Sequence, residues 1–232
     1  RAQEALLERR WHTNVSIDLG AAPYLRGEIA EAWQHLEDAR LLDDSVQLTH
    51  AHPVAGADPA IMIRAISMRV RGMQGYLEQA EALAAEALRI AEARAHPPTI
   101  AMGRQAWIRV LLAKGAHAQA AAQAQQMLAL SERYGIQTRV ANAWMFLGRT
   151  SIALGDVEPG IALLRKGYEL WISAGGKQQG TQYGAQAADA LLRVGRSEEA
   201  RRYLAEAQAV QAETDERFYE SELLRLDGRL LE

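Results

Sequence analysis

The sequence predicts an all-α fold in which antiparallel helix pairs stack into a right-handed superhelix, and three observations lead to this prediction. Four glycines stand forty residues apart, at Gly75, Gly115, Gly155 and Gly195. Small residues keep the same interval five positions later, at Ala80, Ala120, Gly160 and Ala200. Alanine is abundant and β-branched residues are scarce, which favours helices that pack closely. A fixed period of this length indicates one supersecondary unit copied along the chain.

Between the glycines, apolar residues follow the spacing of an α-helix. Val140, Trp144 and Leu147 share one helical face. Gly155 ends that helix, and Asp156 is placed to cap the next one. Applied along the chain, this plan predicts helices at about 13–26, 28–46, 58–74, 76–94, 97–114, 117–134, 137–154, 157–174, 177–194, 197–213 and 217–232, with a stub before Arg10. A single hairpin cannot bury its apolar face, so neighbouring pairs must stack.

The repeat is irregular at one place near the N-terminus. The interval from Gly27 to Gly75 is 48 residues instead of 40. The surplus falls near residues 50–59, where we expect a longer loop that ends as Asp58 and Pro59 open a helix. We therefore divide the chain, as a single helical-repeat domain, into repeats at about 13–52, 58–96, 97–136, 137–176 and 177–215 and a partial repeat at 216–232. Because both ends fall within helical patterns, we expect the chain to be a piece of a longer protein.

Composition and motifs argue against several functional classes. The net charge of −3 disfavours general binding to nucleic acid, which needs a basic surface. No apolar run approaches the roughly 20 residues that span a bilayer, and there is no cysteine, so we expect a cytoplasmic protein that does not bind membranes. Serine-hydrolase, zinc-protease and P-loop motifs are missing, and His50 and His52 have no placed third metal ligand. We therefore expect no enzyme activity, no cofactor and no metal site.

One unit carries a more specific pattern. Trp144, Leu147 and Gly148 form a W-x2-L-G sequence, and Gly160 and Gly167 supply the small residues that follow it. Small residues at these positions let two helix backbones approach closely. The pattern resembles that of tetratricopeptide repeats (TPRs), and the resemblance covers nearly the whole chain. The period of forty residues exceeds the usual value of about 34, and longer helices accommodate the difference.

The C-terminal segment resembles a narrower group of proteins. Residues 215–231 read DERFYESELLRLDGRLL, which is similar to an E-R-[FW]-[YW]-E-A-E-L-x-R-L-x-G-E-L-L segment near the C-terminus of large bacterial signalling proteins. Those proteins carry a class III adenylate/guanylate cyclase or winged-helix domain, then a predicted ATPase, then such repeats. The resemblance implies that this chain is the repeat region alone, without the cyclase or ATPase active site.

Charged residues also recur every forty positions, at Arg69, Arg109, Arg149, Asp189 and Arg229. Each comes one residue after the position that Gly148 holds in its own unit, which rotates it about 100° away from the core, toward the expected concave groove. Met145, Ile152 and Leu112 share this face. We therefore expect an apolar groove that carries a row of guanidinium groups.

Two interpretations of this row are open. Guanidinium groups suit carboxylates and phosphates, so the row predicts binding of an acidic peptide, an acidic protein surface or a phosphorylated effector. In the other interpretation each arginine pairs with a nearby carboxylate or is solvated, and Asp189 would then pair with Arg149.

The sequence favours a non-catalytic protein–protein interaction and regulatory module of a bacterial signalling protein. We expect it to bind a partner protein, or the ATPase or cyclase domains of its own parent, in the concave groove. The alternative is a domain that senses a small-molecule effector and relays its binding to an ATPase or cyclase; a pocket lined by converging polar groups would indicate it. Apolar faces at the two ends also predict a homodimer through the terminal repeats.

Overall fold

The computed structural model of the protein describes residues 2–46, 58–176 and 178–231. The regular structure of this part of the chain consists of α-helices, which confirms the predicted all-α class. The helices are α1 (Ala2–Arg26), α2 (Ile29–Val46), α3 (Pro59–Met73), α4 (Leu77–Arg94), α5 (Pro97–Ala113), α6 (His117–Arg133), α7 (Gln137–Leu154), α8 (Val157–Ser173), α9 (Gly180–Arg193), α10 (Ser197–Thr214) and α11 (Glu220–Arg229).

One predicted helix boundary is wrong. The sequence predicts a stub before Arg10 and a separate helix from residue 13, but α1 is a single helix from Ala2 to Arg26. Neither glycine nor proline occurs between Ala2 and Gly20, so nothing in that stretch ends a helix. The other helix ends lie within three residues of their predicted positions.

Backbone turns repeat with the sequence period. At the turns within pairs, φ is 86° at Gly75, 71° at Gly115, 101° at Gly155 and 75° at Gly195. At the turns between pairs, φ is 54° at Ala95, 67° at Gly135, 78° at Gly175 and 56° at Asp215. A left-handed residue therefore occurs every twenty positions from 75 to 215. Glycine adopts this conformation without strain, which explains the forty-residue recurrence of glycine at the first set of turns.

The glycines inside α7 and α8 let the two helices touch backbone to backbone. A Cβ atom on Gly148 would lie 2.6 Å from the carbonyl oxygen of Gly160, and one on Gly167 would lie 2.7 Å from that of Ala141. Real Cβ atoms do not approach other atoms this closely, so no larger residue fits without a shift of the helices. This confirms the predicted role of the small residues in this pair.

The helices form two compact units. Unit 1 comprises Arg1–Tyr24 and Glu28–Val110, and unit 2 comprises Leu25–Gly27 and Leu111–Glu232. In unit 1, α3 packs against α2 and α4, and its core includes Ile17 and Ile63. In unit 2, α7 packs against α6, α8 and α9, while α11 packs against α9 and α10. The core of unit 2 continues from α7 to α11 and includes Leu164, Trp171 and Leu226.

A network of ion pairs lies in unit 1, on both sides of the irregular interval. The Arg64 side chain is 4% exposed and contacts Asp43 at 3.2 Å and Glu86 at 3.1 Å. Asp58 caps α3, where its Oδ1 accepts a hydrogen bond from the Ala60 amide at 2.9 Å. The predicted helix start after Asp58 is thus confirmed, whereas residues 50–57 of the predicted loop, with His50 and His52, lie outside the described residues.

The described residues contain neither a cluster of metal-binding side chains nor a membrane-spanning helix. Within residues 2–46, 58–176 and 178–231, no three histidine or acidic side chains gather in a way that could hold a metal ion. None of the helices in these ranges combines the length and the apolar character needed to cross a bilayer.

Candidate functional site

The eight predicted groove residues occupy different environments. Arg69, Arg109, Leu112 and Arg149 are half-buried. The Nε atom of Arg69 is buried, and in the described part of the chain it has no hydrogen-bond acceptor. Asp189 and Arg229 contact each other, and Met145 and Ile152 lie in the core. The binding roles of these residues stay predictions, but their surroundings identify one site in unit 2.

Met145 and Ile152 do not lie on an open face. They are 2% and 7% exposed and belong to the apolar core of unit 2. A Cβ atom on Gly167 would lie 2.7 Å from Cγ of Met145, and one on Gly160 would lie 2.7 Å from Cγ1 of Ile152. Both side chains therefore face α8. The expectation that they line the groove fails because α8 packs on α7 over these two side chains.

Asp189, on α9, is surrounded by guanidinium groups. Nε of Arg193 donates a hydrogen bond to Oδ2 of Asp189 at 2.8 Å. Nη2 of Arg225 and Nη1 of Arg229, both on α11, donate to Oδ1 at 3.2 and 2.9 Å. Arg225 also donates to Oε2 of Glu222 at 2.7 Å. One carboxylate thus binds arginines from α9 and from α11, which are the first helices of two successive repeats.

The arginines change the acidity of this carboxylate. Burial raises the pKa of Asp189, but hydrogen bonds from Arg193 and Arg225 and the positive charges of these groups outweigh that effect. The net result is a pKa below the ordinary value for aspartate, so Asp189 is ionised at neutral pH.

Arg149, on α7, has a different partner. Its Nη1 donates a hydrogen bond to Oε1 of Gln186 at 2.8 Å, and Nε2 of Gln186 donates to the Tyr219 hydroxyl at 3.4 Å. Burial lowers the pKa of Arg149. Arg149 forms no ion pair with any carboxylate in the described ranges, so the Arg149–Asp189 pair of the second interpretation is not formed. That interpretation holds for Arg229, which does pair with Asp189.

These residues form a single site on α7, α9, α11 and the turn before α11. We call it the arginine site, and it comprises Arg149, Gln186, Asp189, Arg193, Tyr219, Arg225 and Arg229. The site contains four guanidinium groups and, with the adjoining Glu222, two carboxylates, so it has a net positive charge. The side chains of Arg193, Arg225 and Arg229 are 67%, 45% and 36% exposed. Solvent and ligands can therefore reach these guanidinium donors.

Four members of the arginine site were not predicted: Gln186, Arg193, Tyr219 and Arg225. The signal that could have found two of them is an offset between repeats. Contacts between successive first helices join residues 36–40 positions apart, as in the pairs Arg149–Gln186 and Asp189–Arg225. Polar residues at these offsets after each charged residue of the forty-residue series include Gln186, from Arg149, and Arg225, from Asp189.

Glu216 fixes the turn that carries Tyr219. It is 2% exposed and lies between α10 and α11. Its carboxylate accepts hydrogen bonds from the Gln179 amide and from the Thr181 amide and hydroxyl, the last at 2.9 Å. These groups lie at the N-terminus of α9, where backbone amides have no partner within the helix. Glu216 therefore caps α9 from the next repeat and connects the two elements that supply most of the arginine site.

A cleft lies on the second helices of two neighbouring pairs. A cleft of about 610 Å³ runs between α8 and α10. Its base contains Tyr168 and Tyr203, whose rings meet edge to face at 5.1 Å. Arg165 bridges the cleft with a 2.6 Å contact to Glu199. The remaining lining residues are Glu169, Ile172, Arg196, Arg202 and Glu206. Charges of both signs therefore line this cleft.

Neither family models nor curated proteins match this sequence. Solved structures do match. Nearly identical TPR-like repeats of a Podosopora anserina protein assigned as a kinesin light chain align with 18% identity and a TM-score of 0.56, covering 88% of this chain and 98% of that one. The apo form of RapI aligns with 14% identity and a TM-score of 0.60, covering 95% and 77%.

A third match is a larger protein. A signal-transduction ATPase with numerous domains (STAND) and a tetratricopeptide-repeat sensor, from Pyrococcus horikoshii, aligns with 14% identity and a TM-score of 0.55. The alignment covers 93% of this chain and only 33% of that one. Together, these likenesses over most of the chain establish a TPR-like helical-repeat fold.

Proposed function

We propose that this chain is a non-catalytic protein-interaction module that binds an acidic segment of a partner protein at the arginine site. The observation that carries the proposal is Arg149. It is a half-buried cation without a carboxylate partner in the described residues, and it lies in a site where arginines outnumber carboxylates. Removing a cation from water without an ion pair costs free energy, so an incoming carboxylate gains more here than at a solvated arginine.

The geometry favours a peptide or protein surface with several carboxylates. The donors come from α7, α9 and α11, so they are distributed over three successive first helices. A single small anion can contact only one or two of these groups, whereas an extended acidic segment can contact them all. Guanidinium groups bind carboxylates with two parallel hydrogen bonds, which fixes the register of such a segment.

The binding test uses fluorescence anisotropy with a fluorescein-labelled oligoglutamate peptide. Arg149→Glu is expected to weaken binding about tenfold or more, because a hydrogen-bonded cation is replaced by an anion that repels the ligand. The matched control is Arg89→Glu, which makes the same change of charge at an exposed position of α4, outside both the arginine site and the cleft. Equal affinities of the wild type and the Arg149 variant would contradict the proposal.

At the level of the parent protein, we propose that the module regulates a bacterial ATPase or cyclase, whose domains or partner it binds. The similarity of residues 215–231 to the C-terminal repeats of such regulators supports this. The STAND structure offers a second support, since its repeats are described as a sensor attached to an ATPase. The test compares the nucleotide-hydrolysing or cyclase activity of the full parent with that of a version lacking this region. Unchanged activity and unchanged response would exclude a regulatory role.

The cleft between α8 and α10 supports a second candidate function, binding of a small-molecule effector. Its volume of about 610 Å³ lies in the range of ligand pockets, and it is lined by guanidinium, carboxylate and phenol groups. A zwitterionic metabolite matches this mixture of charges. Thermal-shift screening of such compounds against the wild type and Glu199→Gln tests the idea. A stabilising compound whose effect disappears in the variant would support the sensor function.

Self-association is a further part of the proposal. Leu224 on α11 is 66% exposed, as expected for an apolar face at a terminal repeat. Sedimentation of the wild type and Leu224→Glu tests the predicted homodimer. A monomeric wild type, or a dimer that the substitution leaves intact, would exclude an interface at this face.

A further inference from the structure

The forty-residue series of arginines is interrupted at one position, and the residue there has the opposite charge. Arg109 and Arg149 are followed by Asp189, after which the series returns to arginine at Arg229. Asp189 thus places a carboxylate in the middle of the arginine site. A charge of this sign works against the binding of an acidic ligand, so its presence needs an explanation.

Asp189 contacts the arginines in the way that an acidic ligand would. Both of its oxygens accept hydrogen bonds, from Arg193 at 2.8 Å, Arg229 at 2.9 Å and Arg225 at 3.2 Å. These donors are the same guanidinium groups that an external carboxylate would need. The side chain therefore occupies the anion-binding position that α9 and α11 form together.

The exposure of these ion pairs distinguishes them from structural ones. The Arg64–Asp43 pair of unit 1 is 4% and 6% exposed, so breaking it would leave a buried charge. In contrast, Asp189 is 20% exposed, and its partners Arg193 and Arg225 are 67% and 45% exposed. Pairs that water reaches are screened and contribute less to stability than buried ones. The Asp189 contacts can therefore be exchanged for contacts with a ligand at a lower cost than those of Arg64.

We propose that Asp189 is an internal competitor of the acidic ligand, and this inference rests on the proposed function. Its carboxylate occupies Arg225 and Arg229 in the free protein, and a ligand carboxylate takes these arginines over on binding. Arg149, which forms no direct ion pair in the described part of the chain, binds another carboxylate of the same ligand. Competition of this kind weakens the binding of single carboxylates and selects segments that carry several.

The test removes the competing charge. Asp189→Asn keeps the size of the side chain, and it is expected to bind the labelled oligoglutamate peptide at least about fivefold more tightly than the wild type, as is typical for coupling between groups in one site. Asp227→Asn is the matched control, because Asp227 is exposed on α11 and its loss changes the net charge equally. The control is expected to bind like the wild type. Asp189→Ser serves as a second variant, and thermal melting verifies that each protein is folded.

A spectroscopic readout separates competition from a general effect of charge. The carboxyl carbon of Asp189, followed by NMR, reports its protonation. Peptide binding is expected to move the pKa of this group upward, because the carboxylate loses its arginine partners while the ligand brings negative charge. A pKa of Asp189 that does not change on binding would mean that its contacts remain in place, which would overturn the inference.

The affinities separate failure of this inference from failure of the proposed function. Unchanged or weaker binding by Asp189→Asn, with weaker binding by Arg149→Glu, would overturn the competitor role and leave the acidic-segment site intact. If Asp189→Asn and Asp227→Asn increase the affinity for the peptide equally, the increase is an effect of net charge. That result would also overturn the competitor role of Asp189. Absence of binding by the wild type and all variants would overturn both proposals.

Discussion

The carboxylate of Glu216 is buried, yet its hydrogen-bond donors belong to the N-terminus of a helix 35 positions earlier in the chain. A buried carboxylate is tolerated only where donors compensate for the loss of water. Here the Thr181 hydroxyl and the free amides of α9 supply them. Glu216 therefore holds the turn before α11 against the N-terminus of α9.

We predict that Glu216→Ala destabilises the protein by about 1–3 kcal/mol, because it leaves buried amides of α9 without an acceptor. Urea unfolding followed by circular dichroism measures the change. Glu169→Ala is the matched control, since Glu169 is exposed on α8, and it is expected to have little effect. A Glu216 variant as stable as the control would show that water replaces the carboxylate at this cap.

The arginine site shows what a single sequence can and cannot reveal about side chains. The forty-residue period identifies Arg149, Asp189 and Arg229 as members of one series. It does not determine whether a side chain lies at the surface, because that depends on how many neighbours surround its helix. Met145 shares a helical face with Arg149, yet it is 2% exposed, since α8 covers it. The signal for this burial was Gly167, a small residue on α8 that leaves room for a large partner.

At the scale of the helices, local signals explain most boundaries. Gly155 ends α7 with a φ of 101°, and Asp58 and Pro59 begin α3, as the sequence predicts. Helix α11 is shorter than predicted, because its first helical residue is Glu220 rather than residue 217. The preceding residues are held in a turn by the contacts of Glu216. Such contacts between repeats lie beyond the reach of helical periodicity.

The turns between helix pairs provide an element-scale prediction. Ala95 has a φ of 54° and is exposed, whereas the equivalent residues Gly135 and Gly175 are glycines. A side chain in the left-handed region costs about 1 kcal/mol. We therefore expect Ala95→Gly to stabilise the protein by about 0.5–1 kcal/mol despite the greater freedom of glycine in the unfolded chain. Thermal or urea unfolding measures this change in the free energy of unfolding.

The control for this substitution is the same change inside a helix. Ala85 is exposed in α4, and Ala85→Gly is expected to destabilise the protein by about 1 kcal/mol, the usual difference in helix propensity. Opposite signs for the two variants would confirm that the backbone conformation at Ala95 limits stability. Destabilisation by both would mean that the gain at the turn is smaller than the entropic cost of glycine.

At the scale of the whole molecule, the net charge does not indicate how charged residues are distributed. The chain has a net charge of −3, yet unit 2 gathers four arginines in one site. The net charge argued against general binding to nucleic acid, but only the structure shows where positive charge accumulates. The repeats also divide into two compact units, a division that the regular period from Gly75 to Gly195 gives no reason to expect.

In a repeat protein, stability depends on contacts between neighbouring helices. A substitution that destabilises one unit should therefore leave the stability of the other unit unchanged. Gly148→Ala tests this idea, because the new Cβ atom would lie 2.6 Å from the Gly160 carbonyl oxygen and force α7 and α8 apart. We expect a loss of about 1–3 kcal/mol, the usual range for overpacking. Gly228→Ala on α11 is the control, since nothing lies within 4 Å of its Cβ position, and it is expected to stabilise by up to about 1 kcal/mol.

Hydrogen exchange with mass spectrometry identifies the helices that lose stability in this variant. In Gly148→Ala, amides of α7 and α8 are expected to exchange faster than in the wild type, whereas amides of α3 and α4 in unit 1 retain their protection. This pattern follows if each helix depends mainly on the helices it contacts. An equal loss of protection in both units would instead mean that the repeats unfold as one cooperative body. In that case a ligand at the arginine site would stabilise the whole chain, and its binding could be communicated as far as α3.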